Sequence, residues 1–178
     1  MSDSPLDTHQ KILGRDELSR EVHRRQATGQ RGVFTNGCFD LLHLGHVRYL
    51  QEARALGDFL VLGLNSDEST RLLKGPGRPL VAEGERAEIL AALACVDYVT
   101  IFGEKTAGPL VELLRPAIYV KGGDYANDNA GEAITPDTNR LPEAKVVQTY
   151  GGTVRLIPYV PGHSTTELIE AIRRQGQV

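Results

Sequence analysis

The sequence predicts a doubly wound α/β fold, in which helices cover both faces of a parallel sheet. Short apolar runs alternate along the chain with stretches whose apolar residues recur at helical spacing. The run at residues 59–64 is apolar throughout, which is typical of a strand covered on both faces. With 178 residues, of which 40% are hydrophobic, the chain can form one such domain.

The predicted elements follow one another in regular order. The predicted strands are residues 32–35, 59–64, 98–101, 118–120 and 153–157. The predicted helices are residues 15–25, 83–94, 110–114 and 164–173, and a further helix that starts at the His43–His46 segment and whose apolar positions 47, 50, 53 and 56 follow helical spacing. Gly57 is expected to end this further helix as a C-terminal glycine does.

Two stretches interrupt this order. Residues 73–79 form a glycine-containing loop that carries Lys74 and Arg78, and a polar segment at about residues 126–141 is rich in Asn, Asp and Pro. We therefore expect an N-terminal helical extension at residues 1–30 and a main domain at residues 31–178 with an insertion at about 126–141.

Composition excludes several classes of protein. The net charge of -3 gives no general attraction to nucleic acid or to an anionic membrane. Cys38 and Cys95 are too few for a disulfide framework and lack the CxxC spacing, which indicates a reducing compartment. The first ten residues are polar, and no apolar run approaches about 18 residues. We expect a cytoplasmic protein without a nucleic-acid or membrane partner.

The most informative segment contains two histidines, His43 and His46, at the start of the helix that follows the first strand. Residues three apart lie on the same face of a helix, and a helix start offers free amides and a positive dipole end. Gly45 leaves the backbone between them open to a flat ligand or a phosphate. A His-x-Gly-His sequence occurs by chance in roughly one comparable chain in a hundred. Its position after the first strand, where doubly wound folds bind phosphates, strengthens the prediction of a triphosphate site.

Other interpretations of this segment remain open. The histidines could bind zinc with Cys38 or Asp40 as a third ligand, or they could only cap the helix. Cys38 itself is better explained as a small buried residue than as a nucleophile. A GxxxxGK[ST] motif is absent, and the glycines at 75 and 77 neither follow a strand nor have a third glycine, so P-loop and dinucleotide sites are disfavoured.

Further charged and polar groups are predicted at the same edge of the sheet. Lys121 and Asp124 follow the strand at residues 118–120, where they could meet a phosphate and ribose hydroxyls. Ser164 and Glu167 have the spacing of a capping box that starts the last helix. Such a helix start with neighbouring hydroxyls is also a phosphate site.

Together, six segments resemble the cytidylyltransferase-like superfamily, which carries the HxGH signature. Within it, they are most similar to the adenylyltransferase part of the bifunctional heptose-phosphate kinase/adenylyltransferases. The resemblance extends from about residue 11 to the C-terminus. The segments are TNGCFD at 35–40, HLGH at 43–46, GLNSD at 63–67, LKGPGRP at 73–79, VKGGDY at 120–125 and GHSTT at 162–166.

This resemblance implies a Rossmann-like nucleotidyltransferase that transfers AMP from ATP to a sugar 1-phosphate, heptose 1-phosphate in particular, and releases pyrophosphate. It implies Mg²⁺ as a cofactor held mainly by the triphosphate rather than by protein ligands. It also implies that ATP and a phosphorylated sugar are the partners and that the protein is a homo-oligomer.

The resemblance assigns roles to individual residues. His43, His46 and Lys74 would be catalytic, while Asp67 and Arg78 would face the sugar phosphate. The nucleotide would be bound by Thr35, Asn36, Gly37, Cys38, Phe39, Asp40, Gly45, Arg86, Lys121, Gly122, Asp124, Ser164, Thr165 and Thr166.

Departures from the family pattern keep alternatives open. Cytidylyltransferases of the superfamily usually carry an arginine where this chain has Tyr159, which argues for ATP over CTP. The insertion at about 126–141 leaves the acceptor sugar open. The alternatives are a CTP-dependent enzyme acting on glycerol phosphate or a related ester, and a nucleotide-binding module without turnover. An aminoacyl-tRNA synthetase fragment ranks last, because this sequence has no KMSKS-like loop.

Overall fold

The computed structural model describes residues 7–122, 140–158 and 162–175. After a short 3₁₀ turn at Thr8–Lys11, helices and strands alternate along the described chain. The strands are β1 (Gly32–Gly37), β2 (Phe59–Asn65), β3 (Tyr98–Phe102), β4 (Ile118–Gly122) and β5 (Thr153–Ile157). The helices are α1 (Arg15–Ala27), α2 (Leu44–Ala55), α3 (Asp67–Lys74), α4 (Glu83–Ala91), α5 (Gly108–Leu114), α6 (Glu143–Thr149) and α7 (Thr165–Gln175).

The strands form one parallel sheet in the order β3-β2-β1-β4-β5. Val33 of β1 pairs with Leu60 on one side and with Ile118 on the other. The chain therefore first winds outward through β2 and β3 and then crosses back to β4, so the switch point lies between β1 and β4. This arrangement confirms the predicted doubly wound fold and locates the expected ligand crevice beyond the carboxyl ends of β1 and β4.

Side chains of successive strand residues alternate between two separate cores. Leu60, Leu62 and Leu64 pack in one cluster with residues of α2 and α4, and we call this side of the sheet the α2 face. Phe59 and Val61 pack in the other cluster with residues of α1, α5 and α6, and we call that side the α5 face. The alternation follows from the period of two residues in a strand, and it explains why β2 is apolar throughout.

The predicted N-terminal helix is confirmed, and it packs against the sheet. Leu18 and Val22 of α1 are buried in the same cluster as Phe34 of β1. Ile12 makes an isolated parallel bridge with Val99, the second residue of β3. Most of the predicted insertion, residues 126–139, lies outside the described residues, as do Asp124 and Tyr159. Within the described ranges, none of the helices is long and apolar enough to span a membrane.

The structure corrects the sequence-based assignment in several places. The helices α3 and α6 were not predicted, and α4 ends at Ala91 rather than at residue 94. Gly57 does not end α2 through a left-handed backbone conformation, because the capping residue is Leu56 and Gly57 has no positive φ. Instead, a Cβ atom at Gly57 would lie 2.5 Å from the carbonyl oxygen of Arg31, so glycine is required there by close packing.

Candidate active site

A cleft of about 1250 Å³ opens at the carboxyl edge of the sheet, beyond the ends of β1 and β4. Its walls are formed by the start of α2, the end of α3 and the loop after it, the start of α6 and the start of α7. The cleft therefore lies at the switch point of the strand order, where doubly wound folds bind their ligands.

The two histidines form a stacked pair in this cleft. His43 is the N-cap residue of α2 and His46 lies in its first turn. Their ring centroids are 3.8 Å apart and their planes differ by 24°. Both Nδ1 atoms are buried, and neither has a hydrogen-bond partner within the described part of the chain. The pair thus leaves polar ring atoms available beside the free amides of a helix start.

Burial and neighbouring histidines keep these imidazoles neutral. Burial is the main cause that lowers the pKa of His46 to about 4; the neighbouring His43 contributes to this shift, and a contact with the Leu41 backbone opposes it. Burial is also the main cause of the lowered pKa of His43, with His163 adding to it and Glu167 opposing it. At neutral pH the pair consequently presents N–H groups and lone pairs to the cleft rather than positive charge.

Gly45 brings the starts of α2 and α7 together. A Cβ atom at this position would lie 2.8 Å from the carbonyl oxygen of His163 and 3.0 Å from the His43 ring. The predicted capping box at the start of α7 is confirmed, since Ser164 N donates to Glu167 Oε2 at 2.8 Å and Glu167 N donates to Ser164 Oγ at 3.1 Å. Two helix starts therefore converge on the same part of the cleft, where an anion would meet both.

Asp40 supports the basic loop that follows α3. Its Oδ1 atom accepts hydrogen bonds from Leu80 N at 2.7 Å and Val81 N at 3.1 Å. Its Oδ2 atom lies 2.7 Å from Nε of Arg78. Lys74, at the end of α3, is exposed and lines the cleft. Asp40 thus braces the loop that carries these two cations, and the guanidinium of Arg78 already has a carboxylate partner.

Arg86 is a buried brace outside the cleft wall. Its side chain is 1% exposed, and its guanidinium donates to the carbonyl oxygens of Cys38 at 2.6 Å, Asn65 at 3.0 Å and Val81 at 2.8 Å. Its Nη2 atom is 2.6 Å from Oδ1 of Asp67. Arg86 and Asp67 therefore tie three segments to one another, and neither side chain lines the cleft.

Lys121 forms the floor of the cleft between β1 and β4. It is 8% exposed, and its Nζ atom donates to the carbonyl oxygen of Asn36 at 3.0 Å. Burial lowers the pKa of Lys121 to about 8, Glu143 and Cys38 act to raise it, and Lys74 lowers it. Burying the ammonium group of Lys121 removes it from water, which disfavours its positive charge. A phosphate above this lysine would compensate that charge.

The cleft gathers most of the residues that the sequence singled out. Three of the predicted residues, Thr35, Asp67 and Arg86, do not line it. Thr35 is fully buried, and its Oγ1 atom lies 2.7 Å from the hydroxyl oxygen of Tyr49. The predicted site residues that line the cleft are Asn36, Gly37, Cys38, Phe39, Asp40, His43, Gly45, His46, Lys74, Arg78, Lys121, Gly122, Ser164, Thr165 and Thr166.

Sequence reasoning missed a second group of lining residues. Lys105 and Thr106 follow the carboxyl end of β3, and Arg140 and Glu143 lie at the start of α6. Glu143 is buried and accepts a hydrogen bond from Ala107 N at 2.9 Å. The rule that sites lie beyond strand carboxyl ends would have identified Lys105, whereas Arg140 lies within the segment treated as an insertion.

The described ranges contain no group of three or more His, Cys, Asp or Glu side chains that could hold a metal ion. The zinc interpretation of the histidine pair required Cys38 or Asp40 as a third ligand, and the Asp40 carboxylate is engaged by the basic loop.

Comparison with known proteins identifies the family. A cytidylyltransferase-like family model matches residues 34–171. The bifunctional protein HldE of Geotalea uraniireducens is 54% identical over 167 residues, which are 94% of this chain and 32% of that protein. HldE of Helicobacter pylori is 48% identical over 168 residues, again 94% of this chain and 32% of that protein. The chain thus spans about a third of the length of the curated relatives it matches.

Solved structures agree with this result. The lipopolysaccharide core biosynthesis protein from Thermoplasma volcanium is similar with a TM-score of 0.56 and 28% identity, covering 74% of this chain and 98% of that one. A pantoate-beta-alanine ligase from Francisella tularensis has a TM-score of 0.56 at 13% identity, covering 91% of this chain and 76% of that one, and this likeness concerns the fold alone. The chain belongs to the cytidylyltransferase-like family and is a nucleotidyltransferase.

Proposed function

We propose that this nucleotidyltransferase transfers AMP from ATP to a sugar 1-phosphate, heptose 1-phosphate in particular, and releases pyrophosphate. The observation that carries the proposal is the stacked pair of neutral imidazoles at the start of α2, facing the start of α7 across a cleft at the switch point. The identity of about half the residues to the HldE proteins supports the heptose acceptor.

In the proposed reaction, an oxygen of the acceptor phosphate attacks the α-phosphorus of ATP. A new P–O bond forms while the bond from the α-phosphorus to the bridging oxygen breaks, and the electron pair leaves with pyrophosphate. A protein nucleophile is not required. ATP enters as its magnesium complex, so the metal ion is part of the substrate and neutralises phosphate charge.

The residues of the cleft supply position and charge. The N–H groups of His43 and His46 would donate to phosphate oxygens, and the free amides at the starts of α2 and α7 would do the same. Lys74 and Lys121 would balance the negative charge that develops as the α–β bond breaks. Such preorganised donors stabilise a transition state more than a ground state when they are aimed at the developing charge.

The decisive experiment measures pyrophosphate release by His46→Ala with ATP, magnesium and heptose 1-phosphate. Loss of one charge-stabilising donor commonly lowers turnover by about 100- to 1000-fold, and we expect a loss of that order with an unchanged circular dichroism spectrum. His23→Ala is the matched control, because His23 lies on the exposed side of α1 away from the cleft. Turnover by His46→Ala close to that of His23→Ala would contradict the role of the pair.

The nucleotide and the acceptor are tested by a panel. ATP and CTP are each combined with heptose 1-phosphate, other sugar 1-phosphates and glycerol phosphate, and pyrophosphate release is measured. We expect the fastest release with ATP and heptose 1-phosphate. Faster release with CTP and glycerol phosphate would indicate the cytidylyltransferase alternative, and tight ATP binding without release under any acceptor would indicate a non-catalytic module.

We also propose a cytoplasmic homo-oligomer whose catalytic domain covers residues 31–178. The free thiols of Cys38 and Cys95 support a reducing compartment. Leu72 and Ile172, which are 77% and 58% exposed, are apolar surface that a subunit contact would cover. Light scattering after size-exclusion chromatography measures the oligomeric state, and a monomer at all concentrations would contradict this part of the proposal.

A further inference from the structure

The two walls of the cleft come from opposite faces of the sheet. The histidine pair belongs to α2 on the α2 face, and the contact between Gly45 and His163 places the start of α7 beside it. Lys105 and Arg140 belong to the other wall, because their neighbours Ala107 and Leu141 are buried in the cluster on the α5 face. We call this second wall, formed by residues 105–106 and 140–143, the α5-face wall.

The cations of the α5-face wall have not been assigned a role. Lys105 and Arg140 are exposed to the cleft, and neither makes an ion pair or hydrogen bond with another residue of the described ranges. The two residues that the sequence suggested for the sugar phosphate are each engaged in an ion pair. Arg78 is paired with Asp40, and Asp67 is paired with Arg86.

The chemistry of the proposed reaction requires two anions on opposite sides of one phosphorus atom. In a phosphoryl or nucleotidyl transfer the attacking and leaving oxygens are roughly in line. The leaving pyrophosphate would lie with the histidine pair and the start of α7, on the side of the α2 face. The acceptor phosphate therefore has to approach from the α5-face wall.

We propose that Lys105 and Arg140 bind the phosphate of the acceptor sugar 1-phosphate and make the α5-face wall the acceptor subsite. The inference rests on the proposed function and adds the residues that recognise its second substrate. Lys121 lies on the floor between the two walls. The α-phosphate and the acceptor phosphate would meet above it.

Buried contacts hold the α5-face wall in place before any ligand binds. Glu143 accepts from Ala107 N at 2.9 Å, which joins the loop that carries Lys105 to the start of α6, next to Arg140. Ser69 Oγ donates to the carbonyl oxygen of Glu104 at 3.2 Å and fixes the same loop from the other side. A phosphate would therefore meet two cations on anchored segments, which lowers the entropic cost of binding.

The test measures acceptor binding while the nucleotide subsite is already occupied by an ATP analogue. The protein is saturated with the magnesium complex of α,β-methylene ATP, which cannot be cleaved at the reacting bond, and heptose 1-phosphate is titrated in by calorimetry. Lys105→Gln and Arg140→Gln are compared with the wild-type chain and with Lys145→Gln. Lys145 is an exposed lysine of α6 outside the cleft, so its variant is the matched control.

Each of the two variants should raise the Kd for heptose 1-phosphate about tenfold or more, because a hydrogen bond to a charged group is lost. The Kd for the ATP analogue and the free energy of unfolding should stay unchanged, since both side chains are exposed. Arg140→Lys should recover part of the affinity. In turnover assays the KM for the acceptor should rise while the KM for ATP does not.

An unchanged acceptor Kd in both variants, or an equal loss of ATP-analogue affinity, would overturn the inference. Absence of sugar phosphate binding to the wild-type chain at millimolar concentration would overturn it as well. If the proposed function fails while the acceptor subsite is correct, the measurements give a different result. In that case the wild-type chain binds the sugar phosphate through Lys105 and Arg140 but releases no pyrophosphate from ATP.

Discussion

Burial sets the pKa values of individual titratable residues in the cleft. His46 is neutral because burial lowers its pKa to about 4, and Lys121 keeps its proton at pH 7 although burial lowers its pKa to about 8. A neutral donor and a buried cation are both suited to a polyphosphate, whose negative charge favours the protonated lysine. The electrostatics of this site thus become favourable when the substrate arrives.

The lowered pKa of Lys121 predicts how ATP affinity depends on pH. As pH rises from about 7 to about 9, Lys121 loses its proton in the free protein, and its attraction to phosphate disappears with it. The Kd for ATP should therefore increase over this range in the wild-type chain. In Lys121→Met the affinity should be low and independent of pH, whereas Lys74→Arg should retain the pH dependence. Identical pH profiles for the wild-type chain and Lys121→Met would contradict this prediction.

The close contact at Gly45 predicts a loss of activity when a side chain is added at this position. In Gly45→Ala the new methyl group must displace either the His163 backbone or the His43 ring. Small displacements in an active site can cost about 10- to 100-fold in rate, and we expect a loss of that order in pyrophosphate release. The preference of a helix for alanine over glycine, about 1 kcal/mol, offsets part of the cost of that displacement.

The matched control for this variant is Gly84→Ala in α4, where a Cβ atom would meet nothing within 4 Å. Gly84→Ala should gain helix stability and retain full activity. Full activity in Gly45→Ala would show that the contact between the starts of α2 and α7 is not needed for catalysis.

At the scale of whole elements, the predictability of each helix depended on its apolar face. Helix α2 buries Leu50 and Ala53, which recur at helical spacing, and the sequence predicted it. Helix α3 buries Ser69 and Thr70 instead, so its eight residues have no apolar period, although Ser66 caps it with a hydrogen bond from Ser69 N. Helix α6 has seven residues, like α5, but it buries Glu143, Ala144 and Val147. Helix α5 buries Leu110, Val111 and Leu114, so its apolar pattern is stronger.

Arg86 connects three elements, and its removal should destabilise the fold. In Arg86→Met, Asp67 and three carbonyl oxygens lose a buried partner, and breaking a buried ion pair commonly costs about 3–5 kcal/mol. We expect a decrease of at least about 3 kcal/mol in the free energy of unfolding, measured by urea denaturation. Arg71→Met, at an exposed position of α3, should change it little.

This comparison also decides between two roles for Arg86. The family resemblance suggested contact with the nucleotide, whereas the structure shows a buried brace. If Arg86→Met unfolds at the same urea concentration as the wild-type chain but binds ATP more weakly, the nucleotide role is correct and the structural role is not.

At the scale of the whole molecule, the sequence was sufficient for the fold and for the location of the cleft. The order of strands and helices and the doubly wound sheet were predicted from apolar patterns, and His43, His46 and Lys121 were expected at strand carboxyl ends. The pairing of charges could not be predicted. Which carboxylate Arg78 or Arg86 meets depends on how distant segments pack, and local patterns carry no information on that.

The separation of the molecule into two cores by its sheet has an evolutionary consequence. Val33 and Phe34 are neighbours in sequence, yet they support different walls of the cleft. Mutations that remodel one layer can accumulate while the opposite layer stays intact. An ancestral enzyme could in this way acquire new acceptors and keep the same donor, which is one physical route from a single architecture to a family of related transferases.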